Sequence, residues 1–183
     1  MERIIELAQR ALTLDDSNAI AYMVLAELYG MQRQYDRAIA YDRRAIALDP
    51  NFPLTYYWFG DVLGWAGRPA EAISVEEQAM RLDPQNADQY ALDIGWAYDL
   101  MGEYAKALPF LKRHAEHNPD NIFVHIELAK NYAWLGRIQE ARAEAAEVMR
   151  LNPQFSLRSG NMPCPLKDQR VARAGWLPCA KRD

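Results

Sequence analysis

Cysteine is almost missing from this chain. The 183 residues include two cysteines, Cys164 and Cys179, and neither has a second cysteine or a histidine at metal-ligand spacing. We therefore expect two unlinked thiols of a reducing compartment rather than a disulfide scaffold or a cysteine metal site. No apolar run approaches the roughly 18 residues that span a bilayer. The acidic Glu2 and the interrupted apolar pattern near the start differ from a signal peptide. We expect a cytoplasmic protein that does not bind the membrane.

Motifs of catalysis are also missing. The chain contains no GxGxxG, GxxxxGK[ST] or GxSxG, the patterns that cradle phosphates or present a nucleophilic serine. His114 and His117 stand three residues apart, with His125 soon after, but they do not form HExxH and lack a third ligand at a firm spacing. We expect no cofactor, no metal and no enzyme activity.

An excess of positive charge is lacking as well. The net charge is −4 and the pI is about 5.4, whereas nucleic-acid binding usually requires a basic surface. The charge is unevenly shared, because residues 154–183 hold six Lys/Arg against two Asp/Glu, a net of +4. Residues 1–153 therefore carry −8. We expect no nucleic-acid partner, and an acidic body followed by a basic tail.

What the chain does contain is a repeated phrase. Residues 45–50 read AIALDP, residues 79–84 read AMRLDP, and residues 148–153 read VMRLNP. A period of about 34 residues is typical of a helical solenoid, in which each unit buries its apolar face against its neighbours. The spacing predicts a half repeat at 1–16, full repeats at 17–50, 51–84, 85–119 and 120–153, and an irregular basic tail at 154–183 with at most a short helix near 167–174.

Small and aromatic residues recur at fixed places within these repeats. Tyr22, Leu25, Ala26 and Tyr29 occupy the first helix of one repeat, and Ala38 occupies the second helix. The third repeat is one residue longer, and the spacing of its small residues places the insertion in the loop before the helix that contains Gly95. We expect helices to approach closely at the small residues.

These columns resemble the tetratricopeptide repeat over residues 1–153. The resemblance implies an all-α, right-handed helical-repeat solenoid of about four helix-turn-helix units, preceded by an orphan N-terminal helix. It departs from the family at Asp42 and Glu76, where a large apolar residue is common, and at His114, which stands where Ala45 and Ala79 stand.

In the resembled family, the first helix of each unit lines a concave surface that binds a peptide or a partner protein. The resemblance therefore implies a non-catalytic scaffold, and its groove residues carry over to Met23, Glu27, Met31, Tyr57, Asp61, Trp65, Leu92, Trp96, Leu100, Ile126, Lys130 and Trp134. The three tryptophans are candidate anchors, although they could instead pack between repeats. Acids at Glu27 and Asp61 oppose the capture of a C-terminal carboxylate and favour a basic ligand.

Three alternatives remain open from the sequence. The stretch from Leu151 to Pro178 has a weaker resemblance to the end of repeat modules in bacterial class III adenylate cyclases and related regulators. That resemblance implies a regulatory module of a longer bacterial signalling protein. A second alternative is dimerisation through the first helix, by Ile4, Ile5 or Leu7. A third is that the basic tail lies in the acidic groove.

Overall fold

The computed structural model describes residues 2–155, and within them it contains α-helices, one short 3-10 helix and no strand. The all-α repeat architecture is thereby confirmed. The helices are α1 (Glu2–Leu14), α2 (Ala19–Met31), α3 (Tyr35–Leu48), α4 (Pro53–Trp65), α5 (Pro69–Leu82), α6 (Ala87–Leu100), α7 (Tyr104–His117), α8 (Ile122–Trp134) and α9 (Ile138–Leu151), with the 3-10 helix at Pro84–Asn86. The short helix predicted near 167–174 lies outside the described residues, as does most of the basic tail.

Caps and prolines set the starts of several helices. The Asn18 side chain accepts a hydrogen bond from the Ala21 N–H at 2.9 Å and so caps α2. Asn121 does the same for α8 by accepting from the Phe123 N–H at 3.0 Å. Helices α4 and α5 begin at proline, which fits the first turn because its missing N–H has no partner there in any helix. These signals are local, so they are visible in the sequence.

The first compact unit, residues 2–103, holds α1 to α6. Helix α2 packs against α3 and α4, and α4 packs against α5 and α6. The small residues Ala26, Ala38, Ala45 and Ala79 are fully buried, as close helix approach requires. Because α2 contacts α4 and α4 contacts α6, residues on the shared face of these three helices lie side by side.

The second compact unit, residues 104–155, holds α7 to α9, with α8 packed against both of the others. Leu111, Val124 and Ala141 are fully buried at its centre. His114 stands where the first unit has alanine, and it is 1% exposed. Its Nε2 lies 2.8 Å from the Asn121 side-chain nitrogen, so this larger residue has a polar partner in the interior.

The extra residue of the third repeat is accommodated by helix rather than by open loop. The 3-10 helix Pro84–Asn86 runs directly into α6, which has 14 residues where α4 has 13. The Asp83 side chain accepts a hydrogen bond from the Asn86 N–H and stabilises this turn. In the described part of the chain, no helix is long and apolar enough to cross a membrane.

Candidate functional site

The predicted groove residues of the first unit lie on α2, α4 and α6, three on each helix. We call these nine positions the ribbon: Met23, Glu27, Met31, Tyr57, Asp61, Trp65, Leu92, Trp96 and Leu100. Residues four apart share one face of a helix, so each trio forms a line along its own helix. Met31 and Leu100 are 53% and 46% exposed, whereas Met23 is 3% exposed and receives the Thr55 hydroxyl at its sulfur. Of the nine ribbon positions, Met23 is therefore buried in the packing between α2 and α4.

Two tryptophans of the ribbon pack across glycines on the first helix of the preceding repeat. A Cβ built on Gly30 would lie 3.2 Å from Cε3 of Trp65, and one built on Gly64 would overlap the ring of Trp96. Glycine at these positions leaves room for the indole. Trp65 nevertheless keeps 36% of its surface exposed. Trp65 therefore packs between helices and still exposes part of its side chain, and its role as an anchor for a partner stays a prediction.

The predicted residues of the second unit have partners of their own. The Trp134 ring stacks on Tyr104 with centroids 5.5 Å apart and planes within 3°. The Lys130 ammonium lies 2.5 Å from a Glu127 carboxylate oxygen one turn earlier. Ile126 is 9% exposed and belongs to the packing of α8. Partner binding by these residues stays a prediction.

The most unusual feature of the first unit is a set of inward-facing acids. We call the five the carboxylate cluster: Glu27 on α2, Asp42 on α3, Asp61 on α4, Glu76 on α5 and Asp93 on α6. Asp42 and Glu76 are 0% and 1% exposed, and the other three are partly exposed. Glu27 and Asp61 also belong to the ribbon, so the cluster and the predicted groove share two residues.

Several carboxyl oxygens of the cluster are buried without a hydrogen-bond partner. In the described part of the chain, no donor reaches either carboxylate oxygen of Asp42 or of Glu76. One oxygen of Glu27 and one of Asp93 are likewise buried without a partner. A buried polar group without a hydrogen bond costs roughly 1–3 kcal/mol, and an unpaired charge costs more. Burying these carboxyl groups therefore lowers the stability of the folded protein.

Burial and mutual repulsion keep protons on these acids. Desolvation, followed by repulsion from Glu27, raises the pKa of Asp42 to about 9. Desolvation, then repulsion from Asp93 and Asp61, raises the pKa of Glu76 to about 10. The same causes raise the pKa of Asp93 to about 8 and that of Glu27 to about 7, with Asp61 as the repelling neighbour in both cases. The pKa of Asp61 rises to about 6 by desolvation. At neutral pH, Asp42, Glu76 and Asp93 are mostly protonated.

An aromatic cleft opens beside the cluster. Its volume is about 530 Å³, and its lining consists of Phe52, Pro53, Leu54, Tyr57, Asp83, Asn86, Gln89 and Tyr90. The Tyr57 ring meets Tyr90 edge-on at 5.9 Å, and the Tyr57 hydroxyl accepts from the Gln89 amide at 3.3 Å. Desolvation, then the charges of Asp93 and Asp61, raises the pKa of Tyr57. Tyr57 therefore connects the cleft to the carboxylate cluster.

Sequence reasoning missed three of the five cluster members as site residues: Asp42, Glu76 and Asp93. For Asp42 and Glu76 a signal existed, because both are acids in a column where the family commonly has a large apolar residue. Asp93 carried no such signal. Its place depends on the packing of α6 against α4 and α5, which the sequence pattern does not specify.

The last two groups of candidates are the histidines and the apolar residues of α1. His125 contacts a Glu144 oxygen at 2.7 Å and the Pro119 carbonyl oxygen at 2.8 Å. Within residues 2–155, no group of three or more His, Cys, Asp or Glu is arranged to hold a metal ion. On α1, Ile4 and Leu7 are 50% and 58% exposed. Self-association through that helix stays a prediction.

Comparison with known proteins identifies the family. Models of the tetratricopeptide repeat match residues 19–52 and residues 100–158. The chain is a tetratricopeptide repeat protein, as its sequence columns predict. No curated protein sequence matches it. The resemblance to adenylate cyclase modules stays a prediction, and most of the stretch that carries it lies outside the described residues.

Solved structures of the same architecture resemble the chain over most of its length. PilW, a type IV pilus biogenesis factor, is 24% identical with a TM-score of 0.76, over 81% of this chain and 69% of PilW. YrrB, described as a TPR protein with an unusual peptide-binding site, is 26% identical with a TM-score of 0.67, over 81% of this chain and 76% of YrrB. TTC0263, a thermophilic TPR protein from Thermus thermophilus, is 24% identical with a TM-score of 0.70, over 94% of this chain and 89% of TTC0263.

Proposed function

We propose that this protein is a non-catalytic scaffold that binds an extended or helical segment of a partner protein along the ribbon of its first unit. The observation that carries the proposal is the Trp65 indole, which is held against Gly30 on one side and is 36% exposed on the other. A large ring fixed by packing loses little conformational freedom on binding, so it is a favourable anchor.

Neighbouring apolar groups extend this surface. Met31 and Leu100 are about half exposed at equivalent ends of α2 and α6. Scattered apolar residues are normal on a protein surface, but here they flank the tryptophan on adjacent helices of one packed unit. They would provide the apolar rim of a central anchor.

The similarity to YrrB agrees with this function. YrrB is described as having a peptide-binding site, and it shares the repeat architecture with this chain. The acids of the ribbon favour a basic segment and oppose a C-terminal carboxylate as the ligand, because like charges would meet in the groove.

The test compares two truncations on the full chain. The partner is first recovered by affinity capture and mass spectrometry, then purified and titrated by calorimetry. We expect Trp65→Ala to weaken its affinity at least about tenfold, the range of an anchoring residue. Met149→Ala removes a 48% exposed apolar side chain from α9 and should change the affinity less than about twofold. Equal binding by the Trp65→Ala variant and the parent, with both folded by circular dichroism, would reject the proposal.

A further inference from the structure

We propose that the carboxylate cluster of the first unit is a receptor for an arginine side chain of the bound segment. In this arrangement the guanidinium meets Glu27, Asp61 and Asp93 at the partly exposed side, with Asp42 and Glu76 behind them. The inference rests on the proposed function, since it names the ligand chemistry of the same groove.

The first argument is that folding does not require these acids. Leu111 occupies, in the second unit, the position that Asp42 and Glu76 occupy in the first, and it is fully buried. The fold therefore accepts an apolar side chain at this place. Asp42 and Glu76 instead bury carboxyl groups without hydrogen-bond partners at a place where leucine can pack. This is unfavourable unless a cation pairs with them.

The second argument is the periodic arrangement of the acids. Glu27 and Asp42 are 15 residues apart, and Asp61 and Glu76 repeat this spacing one repeat later. Asp61 is close enough to Glu27, Glu76 and Asp93 to raise the pKa of each through its charge. The two pairs therefore form one electrostatic unit centred on Asp61, and a single cation near Asp61 would act on several carboxylates.

The shape of the site favours a guanidinium over a metal ion. A divalent cation needs ligand oxygens at about 2.0–2.6 Å around one point, and the described residues contain no such group. A guanidinium is planar and carries five N–H donors, so it can donate hydrogen bonds to carboxylates on several helices at once. The adjacent rings of Tyr57 and Tyr90 line the cleft through which the side chain would enter, and aromatic faces attract guanidinium groups.

Binding of a cation must release protons. The titratable groups linked by their charges are Glu27 from α2, Asp42 from α3, Tyr57 and Asp61 from α4, Glu76 from α5 and Asp93 from α6, with Asp42 linked through Glu27. All five carboxyl groups have raised pKa values, so several hold protons near pH 7 when the groove is empty. An arriving guanidinium favours the ionised forms. Its affinity should therefore increase from pH 6 to pH 8.5.

The experiment uses the full chain and two fluorescein-labelled nonapeptides of alanine. One carries three arginines, and the other carries citrulline in their place, which keeps the shape and removes the charge. We expect fluorescence anisotropy at 0.15 M salt and pH 8 to give at least about tenfold tighter binding of the arginine peptide. The ratio of the two affinities should fall as the pH is lowered to 6.

Two variants test whether the carboxylate cluster causes the preference for the arginine peptide. In the double variant Asp61→Asn/Glu76→Gln, amides replace carboxyl groups of nearly the same shape, and the ratio should fall to about one. The control Glu77→Gln removes an exposed acid from the same helix as Glu76 and should keep the ratio within about twofold. Thermal melting by circular dichroism verifies that the variants are folded.

Two results would overturn the arginine receptor: failure of the parent to prefer arginine over citrulline, or a preference that survives in the double variant. These outcomes are distinct from failure of the proposed function. If Trp65→Ala still lowers the affinity for the captured partner, the proposed scaffold function is supported and only the proposed arginine site is wrong. If Trp65→Ala leaves the partner's affinity unchanged, the scaffold itself is wrong.

Discussion

At the residue scale, Gly60 and Glu76 depend on each other. The Glu76 side chain occupies the space above the Gly60 backbone, so that a Cβ on residue 60 would overlap its carboxylate oxygen and carboxyl carbon. Glu76 is 1% exposed, which leaves its side chain little room to move away. The small residue that the repeat pattern places in α4 thus accommodates an acid here, and the acid in turn determines that the small residue is glycine.

A double-mutant cycle tests this dependence. We expect Gly60→Ala to lower the free energy of unfolding by about 1–3 kcal/mol, because the added methyl overlaps a buried side chain. In a Glu76→Ala background the overlap is gone, and the same change should be neutral or stabilising by up to about 1 kcal/mol, since alanine favours helix over glycine. Urea denaturation of the four proteins measures the coupling. Equal effects of Gly60→Ala in both backgrounds would contradict the proposed overlap.

At the element scale, the turns inside the helix pairs share one geometry. Gly67, Gly102 and Gly136 have φ of 74°, 73° and 72°, and Arg33 occupies the corresponding place in the first pair with φ 62°. Each of these turns contains a pair of hydrogen bonds, such as Arg68 N–H to Leu63 O at 2.8 Å and Gly67 N–H to Gly64 O at 3.0 Å. This is the Schellman motif, in which a left-handed residue ends the helix and satisfies its last carbonyls.

Arg33 is therefore a residue with a side chain at a position suited to glycine. We expect Arg33→Gly to raise the free energy of unfolding by about 0.5–1 kcal/mol, because it relieves the left-handed strain. Arg33→Ala is the matched control, since it removes the same side chain but keeps the Cβ, and it should give no gain. Gly67→Ala should lower stability by about 1 kcal/mol for the same reason. Stabilisation by alanine as large as that by glycine would show that the guanidinium, not the backbone, is responsible.

Helix positions were predictable from the sequence to the extent that their signals are local. The alternation of small and large residues at a 34-residue period, the prolines after α3 and α5, and the Asn18 cap are all visible without a structure. The spacing predicts the extra residue of the third repeat in the loop before α6, but the segments before α4 and α6 (49–52 and 83–86) are equally long, and α6 is longer than α4 by one residue. Spacing locates an insertion along the chain, whereas hydrogen bonding decides whether it becomes helix.

At the scale of the whole molecule, the sequence predicted the fold better than the candidate site. The same pattern of small and large residues occurs in several repeats, so it predicts the tetratricopeptide architecture even where single residues depart from it. The site depends on those departures. Asp42 and Glu76 could be recognised as exceptions in an apolar column, but the closeness of Asp42 to Glu27, and of Glu76 to Asp61 and Asp93, arises from helix packing. The packing of the Trp65 ring likewise depends on the space left by Gly30 on another helix.

The carboxylate cluster also has a consequence for the stability of the protein as a whole. Each of its carboxyl groups has a higher pKa in the folded protein than in the unfolded chain, where the values are near 4. The folded state therefore binds more protons, and stability is highest where the unfolded chain is also protonated. It decreases as the pH rises from about 4 through the folded-state values near 6 to 10. Asp15 and Asp83, whose pKa values are lowered by hydrogen bonds, act in the opposite direction, below about pH 4.

We accordingly expect the free energy of unfolding to fall by about 2 kcal/mol or more between pH 5.5 and pH 8.5, measured by urea denaturation at constant salt. In Asp42→Asn/Glu76→Gln the two most strongly raised groups no longer titrate, so the fall should be much smaller and the variant more stable than the parent at pH 8.5. The paired control Asp36→Asn/Glu77→Gln changes exposed acids on the same two helices and should keep the steep dependence. A parent whose stability is constant or rises across this range would show that the buried carboxyl groups lose no protonation free energy on folding, because water or a bound cation already reaches them.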